Sequence, residues 1–296
     1  MPYKVETFIK NVATNVGEGP HWDPETQTLL YVDPEAGNLH RYNTLTKIDE
    51  MRHYDDNTSL IVPRKSGGYV ITDGLNISHL DWESGVRTVL ASVDQGTRNV
   101  FNDGKCDASG RLWAGTMGYM EKPVFPEMEV ASLYTLEKDL KVNRHLDKIS
   151  LSNGLAWTHN NTKMFYVDSM PREIWSFDFD LETGNMTNKQ VLVKCPKDTI
   201  KTLGYPDGMT SDVDDKIWCA FYEGSCVIRY DPETGQEISR INFPTPQITS
   251  CCWGGKNFDE LYVTSGHVNI TDDQAGSVFR VTDLGTKGRP ADVFLG

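Results

Sequence analysis

No apolar run in this chain approaches the length of a membrane span, and lysine and arginine are nowhere gathered into a block. The first absence argues against a membrane protein, and the second against nucleic acid or an anionic bilayer as partner, because both call for a basic stripe. No Ser/Pro/Gly-rich linker or charge block divides the sequence, so residues 1–296 read as one domain. There is no Cys-x-x-Cys pair and no EF-hand loop, which removes the zinc knuckle and the commonest calcium module. Residues 1–10 carry Lys4, Glu6 and Lys10 without the apolar centre of a secretory signal. The six cysteines (Cys106, Cys195, Cys219, Cys226, Cys251 and Cys252) are therefore expected as reduced thiols of a cytoplasmic protein. Helical periodicity is missing as well: no segment of ten or more residues shows it.

What is present is a soluble composition, with 38% hydrophobic and 10% aromatic residues and a net charge of −13 spread along the chain. A monomer acting on a small molecule is the expectation. Short aromatic and β-branched segments recur at Leu29–Asp33, Tyr69–Asp73, Arg111–Gly115, Met164–Asp168, Lys216–Ala220 and Glu260–Thr264, about 40 to 55 residues apart. A second strand-like segment follows each, as in Asn38–Tyr42, Glu173–Phe179 and Val227–Asp231. The turns Asp81–Gly85, Asp180–Gly184 and Asp231–Gly235 share an acidic start, a Ser or Thr, and a closing Gly, and they read as one turn in three repeats. Six such units of short strands predict an all-β fold, a six-bladed β-propeller built around a central channel.

Four of the six units open with an oxygen-bearing side chain beside glycine: Glu18-Gly19, Asn102-Asp103-Gly104, Asn153-Gly154 and Asp207-Gly208. The other two offer Thr58-Ser59 and Thr249-Ser250, which are weaker ligands. In a propeller these loops converge at the channel mouth, and each glycine would let the chain turn sharply there. One Glu, one Asp and two Asn supply only hard oxygens, the ligands of Ca²⁺, Mg²⁺ or Mn²⁺, and their charge of −2 matches a divalent ion.

Several segments resemble the regucalcin (senescence-marker protein) family, which includes gluconolactonases and the insect luciferin-regenerating enzymes. They are E-G-P-H-W-D at Glu18–Asp23, F-N-D-G-K at Phe101–Lys105, W-A-G-T-M at Trp113–Met117 and S-N-G-L-A-W at Ser152–Trp157. F-Y-V-D-S at Phe165–Ser169, P-D-G-M at Pro206–Met209 and T-S-C-C-W-G-G-K-N at Thr249–Asn257 continue the series in unbroken order. The resemblance implies a propeller with one divalent metal at the channel mouth, Ca²⁺ foremost, with Zn²⁺, Mn²⁺ or Mg²⁺ as alternatives. Its ligands would be Glu18, Asn153 and Asp207, with Asn102 beside the metal as a substrate contact. Asp207 would also be the general acid/base of a metal-dependent lactonase. Family members that hydrolyse sugar lactones place an Arg two residues before the Asn of F-N-D-G-K, where this chain has Val100; Arg98 should point the same way at another depth. A second family contact, a Glu, falls on Met120 without a gap, and the neighbouring Glu121 is taken as the substrate contact. Both changes make the pocket more apolar than a sugar site.

Three further readings are structural. His21 and Trp22 are expected to pack in the first unit, Cys251-Cys252 to behave as small buried hydrophobes, and Asp33, Asp73, Asp168 and Asp231 to form Asx-turns. The loop 118–130, with Tyr119, Met120 and Phe125, is long for a hairpin and is expected to cover the mouth.

Overall fold

Each aromatic segment becomes the second strand of a four-stranded antiparallel sheet, and burial explains why those segments stand out. In Thr28–Asp33 all six residues are buried, because neighbouring sheets cover both faces of the strand. Outermost strands such as Ile48–His53 are almost wholly exposed, and their residues are correspondingly polar. Six such sheets form the blades of a six-bladed propeller in the computed structural model, which describes residues 3–120 and 125–296. Blade one comprises Glu18–Asp23, Thr28–Asp33, Asn38–Asn43 and Ile48–His53, from channel to rim. The inner strands of blades two to six are Ile61–Pro63, Val100–Cys106, Ser152–Trp157, Tyr205–Ser211 and Ile248–Gly254. Among the described residues helix is confined to the adjoining segments Lys197–Thr199 and Ile200–Leu203, between blades four and five.

The blades are joined at both ends of the chain. Lys4–Ile9 supplies the outermost strand of blade six, pairing with Val278–Thr282. At the far end of the channel, residues 284–296 run without regular structure across four blades. Gly288 donates its N–H to Phe258, and the Lys287 carbonyl accepts from Val213. Phe294 is fully buried among Leu60, Val62 and Phe101.

Two repeated devices hold the blades. The three D-x-x-S/T-G turns are indeed one structure: Gly85, Gly184 and Gly235 donate to the carbonyls of Asp81, Asp180 and Asp231 at 2.8–2.9 Å. Their φ angles of 71°, 74° and 70° are left-handed, which is why each turn ends in glycine. In blades three and five, a buried Asp accepts from the indole N–H of a Trp six residues on, Trp113 to Asp107 at 2.8 Å and Trp218 to Asp212 at 2.9 Å. Each carboxylate is also paired with an Arg, Arg111 or Arg229, so the buried charge is matched on both sides.

Candidate functional site

The oxygen-bearing side chains expected in loops lie instead in the inner strands, at a defect that five of the six blades share. Pairing runs Phe101 to Thr116 and then Gly104 to Ala114, so one residue is extra on the inner strand. The same single-residue bulge follows Ser152, Pro206, Ile248 and Glu18. A bulge re-aims a side chain that regular pleating would turn into the sheet. Asn102, Asn153 and Asp207 are each the first bulged residue, whereas Glu18 stands one position earlier, just before Gly19. The left-handed conformation of Gly19 (φ 54°) redirects the chain there, and the longer Glu side chain reaches the same region. The turn reading of the glycines therefore holds for Gly19 alone. Gly104, Gly154 and Gly208 are not left-handed; they let neighbouring chain pass close. A Cβ on Gly154 would lie 2.6 Å from the Asp207 carbonyl oxygen, and one on Gly208 would lie 2.0 Å from Ser250 Oγ.

Glu18, Asn153 and Asp207 meet. Asn153 and Asp207 are buried, while Glu18, Asn102 and Asp103 are half-buried along the channel wall. The Glu18 and Asp207 carboxyl groups lie within hydrogen-bonding reach of each other, and the Asn153 amide lies beside Asp207. Desolvation, with the Asp207 and Asp103 carboxylates as neighbours, pushes the Glu18 carboxyl well above its usual range. Desolvation and Asp103 do the same to Asp207. Asn153 donates through Nδ2 to Ser169 Oγ at 3.2 Å, while its Oδ1 is buried with no hydrogen-bond partner among the described residues. Two desolvated carboxyl groups beside an unsatisfied amide oxygen form a donor set that a divalent cation fits. The fit does not extend to a closed cage: among the described residues no three His, Cys, Asp or Glu side chains are grouped to hold a metal. The third group facing the pair is an amide, and the third carboxylate, Asp103, is turned toward the Gly104 N–H at 2.7 Å.

Asn102 adjoins this group. Its Nδ2 donates to the Ser152 carbonyl at 2.8 Å, which ties blade three to blade four and leaves Oδ1 as its open group. Of the weaker candidates, Ser59 Oγ contacts Thr72 Oγ1 at 3.0 Å and Thr249 Oγ1 donates to the Gly17 carbonyl at 2.6 Å, while Thr58 Oγ1 is buried without a partner among the described residues. Sequence reading passed over Asp103 and Lys105 as site residues. Both line the channel, and F-N-D-G-K contained the signal, since alternation along that strand sends every second side chain to the same side.

Two of the aspartates read as Asx-turns position the site. Asp33 accepts from the N–H groups of Thr14, Asn15 and Val16 at 2.7–3.1 Å, fixing the loop that leads into Glu18. Asp168 does this for Ser150 and Leu151, just ahead of Asn153. Asp73 instead faces Ser78 and Arg87, and Asp231 makes the expected turn. Cys251 and Cys252 are buried free thiols, as are the other four cysteines.

At the mouth, Val100 pairs with Met117, and Met117 bridges to Leu151, so this side of the opening is apolar. Phe125 packs edge-on against Tyr205, two residues before Asp207, which brings that ring to the blade-five side of the opening. Arg98 lies ahead of the strand and is 67% exposed, with its guanidinium 4.3 Å from the Tyr119 ring centroid. It rests on Tyr119 and does not reach down the strand. Glu121 lies outside the described residues.

Comparison with known proteins agrees with this fold. Residues 16–267 match the family described as SMP-30/Gluconolactonase/LRE-like region. Regucalcin of Danio rerio is 38% identical over 99% of both chains. The solved structure of a luciferin-regenerating enzyme shares 34% identity and a TM-score of 0.91 over the full length of both chains. A calcium-binding protein, regucalcin, from Agrobacterium tumefaciens shares 26% identity over 96% of this chain and 95% of its own, with a TM-score of 0.87. The family match over residues 16–267 and these full-length similarities establish that the chain belongs to the SMP-30/gluconolactonase/LRE-like family.

Proposed function

We propose that the protein is a divalent-metal-dependent hydrolase of small lactones, with Glu18, Asn153 and Asp207 holding one cation, Ca²⁺ foremost. The observation that carries the reading is the buried, unpartnered Asn153 Oδ1 beside two desolvated carboxyl groups within hydrogen-bonding reach of each other. Family membership supports the hydrolase class. When bound, a divalent cation polarises a carbonyl oxygen and favours the ionised form of adjacent carboxylates. Asp207, ionised, accepts a proton from the water whose oxygen bonds to the lactone carbonyl carbon. As the ring C–O bond breaks, Asp207 returns that proton to the departing alkoxide, and a hydroxy acid leaves. Asn102 Oδ1 would orient a substrate hydroxyl or N–H. The wall of Val100, Met117 and Leu151 would favour lactones with an apolar or aromatic face over polyhydroxylated ones.

A panel of lactones assayed with Ca²⁺, Zn²⁺, Mn²⁺ and Mg²⁺ tests this reading; no turnover above an Asp207→Ala control, with any substrate and ion, would sink it. Val100→Arg should raise turnover of gluconolactone if the remaining site is competent for sugars. A second reading, a calcium-binding protein without significant catalysis, is favoured by Val100 and by the relative described as calcium-binding. Micromolar Ca²⁺ affinity without turnover would select it. The buried free thiols suit a cytoplasmic location, which we also propose; fractionation of cells expressing the full chain would test it.

A further inference from the structure

Asn153 can serve a cation only through its oxygen, yet an amide carries a donor end and an acceptor end of nearly the same shape. Ser169, the residue that follows the second strand of blade four, Lys163–Asp168, decides which end is left open. Its Oγ donates to the Pro206 carbonyl of blade five at 2.7 Å. A hydroxyl has one proton, so toward Asn153 this oxygen can only accept. It accepts from Nδ2 at 3.2 Å, and Oδ1 is the end without a partner among the described residues. Turning the amide over would set Oδ1 against the Ser169 lone pairs, with the hydroxyl proton already committed.

The serine is itself held. It is buried, its N–H donates to the Leu151 carbonyl at 3.1 Å, and its own carbonyl accepts from the Arg172 N–H at 3.0 Å. Asp168, just before it, accepts from the Ser150 and Leu151 N–H groups, so one dipeptide grips both the backbone leading to Asn153 and its amide. Asn102 meets the same requirement more simply, because its Nδ2 donates to the Ser152 carbonyl, which can only accept. In blades one and two the residue after the corresponding strand-ending Asp is Pro34 or Gly74, neither of which carries a hydroxyl. Of these three blades, the hydroxyl stands where an asparagine has to be oriented. We infer that Ser169 is a positioning residue that sets the polarity of the site: with its proton held by the carbonyl just before Asp207, it keeps the Asn153 nitrogen turned to itself and leaves the oxygen for a cation. The consequence for a cation rests on the metal reading above; the orientation of the amide does not.

Calorimetric titration of the full chain with Ca²⁺ tests this through a double-variant cycle. Ser169→Ala should weaken Ca²⁺ binding by about tenfold to a hundredfold, because the freed amide can present either end. In a chain carrying Asn153→Asp both terminal atoms are oxygens and nothing is left to orient, so adding Ser169→Ala there should cost about threefold or less. A serine that merely tied blade four to blade five would cost the same in both chains. Equal losses therefore overturn the inference, as does wild-type affinity in Ser169→Ala. Should Ser169→Ala fail to fold, the wild-type chain decides by NMR. In the metal-free protein the Asn153 side-chain NH2, identified by its loss in Asn153→Asp, should show a nuclear Overhauser contact to the Ser169 β-protons and keep it when Ca²⁺ is added. Absence of that contact, or its disappearance with Ca²⁺, would overturn the assignment. If the wild-type protein binds neither Ca²⁺ nor Mn²⁺, the metal reading falls, and the same contact still judges the orientation of the amide.

Discussion

Gly154→Ala probes the geometry of the site without touching a proposed ligand. The added methyl would sit 2.6 Å from three atoms of blade five: the Asp207 carbonyl oxygen, the Met209 nitrogen and Met209 Cβ. That is about 0.8 Å inside the 3.4 Å at which ordinary contact begins, and two of the three atoms are backbone, so no rotamer change relieves it. The inner strands of blades four and five must separate by roughly that amount, at the level where Asn153 faces Asp207. Overpacking of this kind costs about 1–3 kcal/mol. Removing a glycine from the unfolded chain offsets about 0.4–1 kcal/mol. The net expectation is a loss of about 1–2 kcal/mol, read as a fall of about 2–8 °C in melting temperature for a domain of this size. The functional loss should be larger, because displacing a reacting group by about 1 Å can cost about a hundredfold in turnover. Calorimetric titration with Ca²⁺ and scanning of the metal-free protein give the two quantities separately. If Gly154→Ala keeps wild-type stability and wild-type Ca²⁺ affinity, close contact between blades four and five does not set the site.

Three further outcomes follow from the same structure. Phe294→Ala empties a fully buried site among Leu60, Val62 and Phe101 and should cost about 3–5 kcal/mol in chemical denaturation, with faster proteolysis of residues 284–296. Burial lowers the His21 imidazole to about 4 from its usual 6.5. The folded state therefore resists protonation, and stability from this group is complete above pH 6.5 and declines, by about 3 kcal/mol, as pH falls to 4. Asp168 and Asp292, both raised to about 6, act in the opposite sense, so the measurement is the difference between wild type and His21→Gln across that range. A flat difference would refute it. Asp33→Ala releases three N–H groups of the loop before Glu18 and should cost about 1–3 kcal/mol, with Ca²⁺ affinity falling alongside; unchanged affinity would show that the loop does not position Glu18.

The second and third strands of each blade were legible because burial on both faces demands unbroken apolar residues, as in Leu29–Val32, and the shared D-x-x-S/T-G turn marked the repeat. The inner strands were not legible as strands. Ser152–Trp157 is buried throughout yet begins Ser-Asn-Gly, a run that propensity assigns to a turn, because its burial comes from converging blades and not from its own composition. The oxygens could be found by recurrence, but the bulge that aims them is a matter of pairing register, and no residue type signals it. For the same reason the one-residue offset of Glu18 was invisible. Asp103 was hidden by its neighbour: in Asn-Asp-Gly either oxygen could have been the one at the mouth, and only the backbone decides. The paired Asp and Trp of blades three and five, six residues apart, could have been read from the sequence as a second repeat signature.

The strand Lys4–Ile9 imposes an order of events on synthesis. Its partner, Val278–Thr282, leaves the ribosome roughly 280 residues later, a wait of about 15 to 55 seconds at ordinary elongation rates. Over that interval the first-made segment of the ring has no sheet to join, and the edge it will cover does not yet exist. Closure is thus a late, high-contact-order step, and a nascent propeller can collect five blades while its circle remains open.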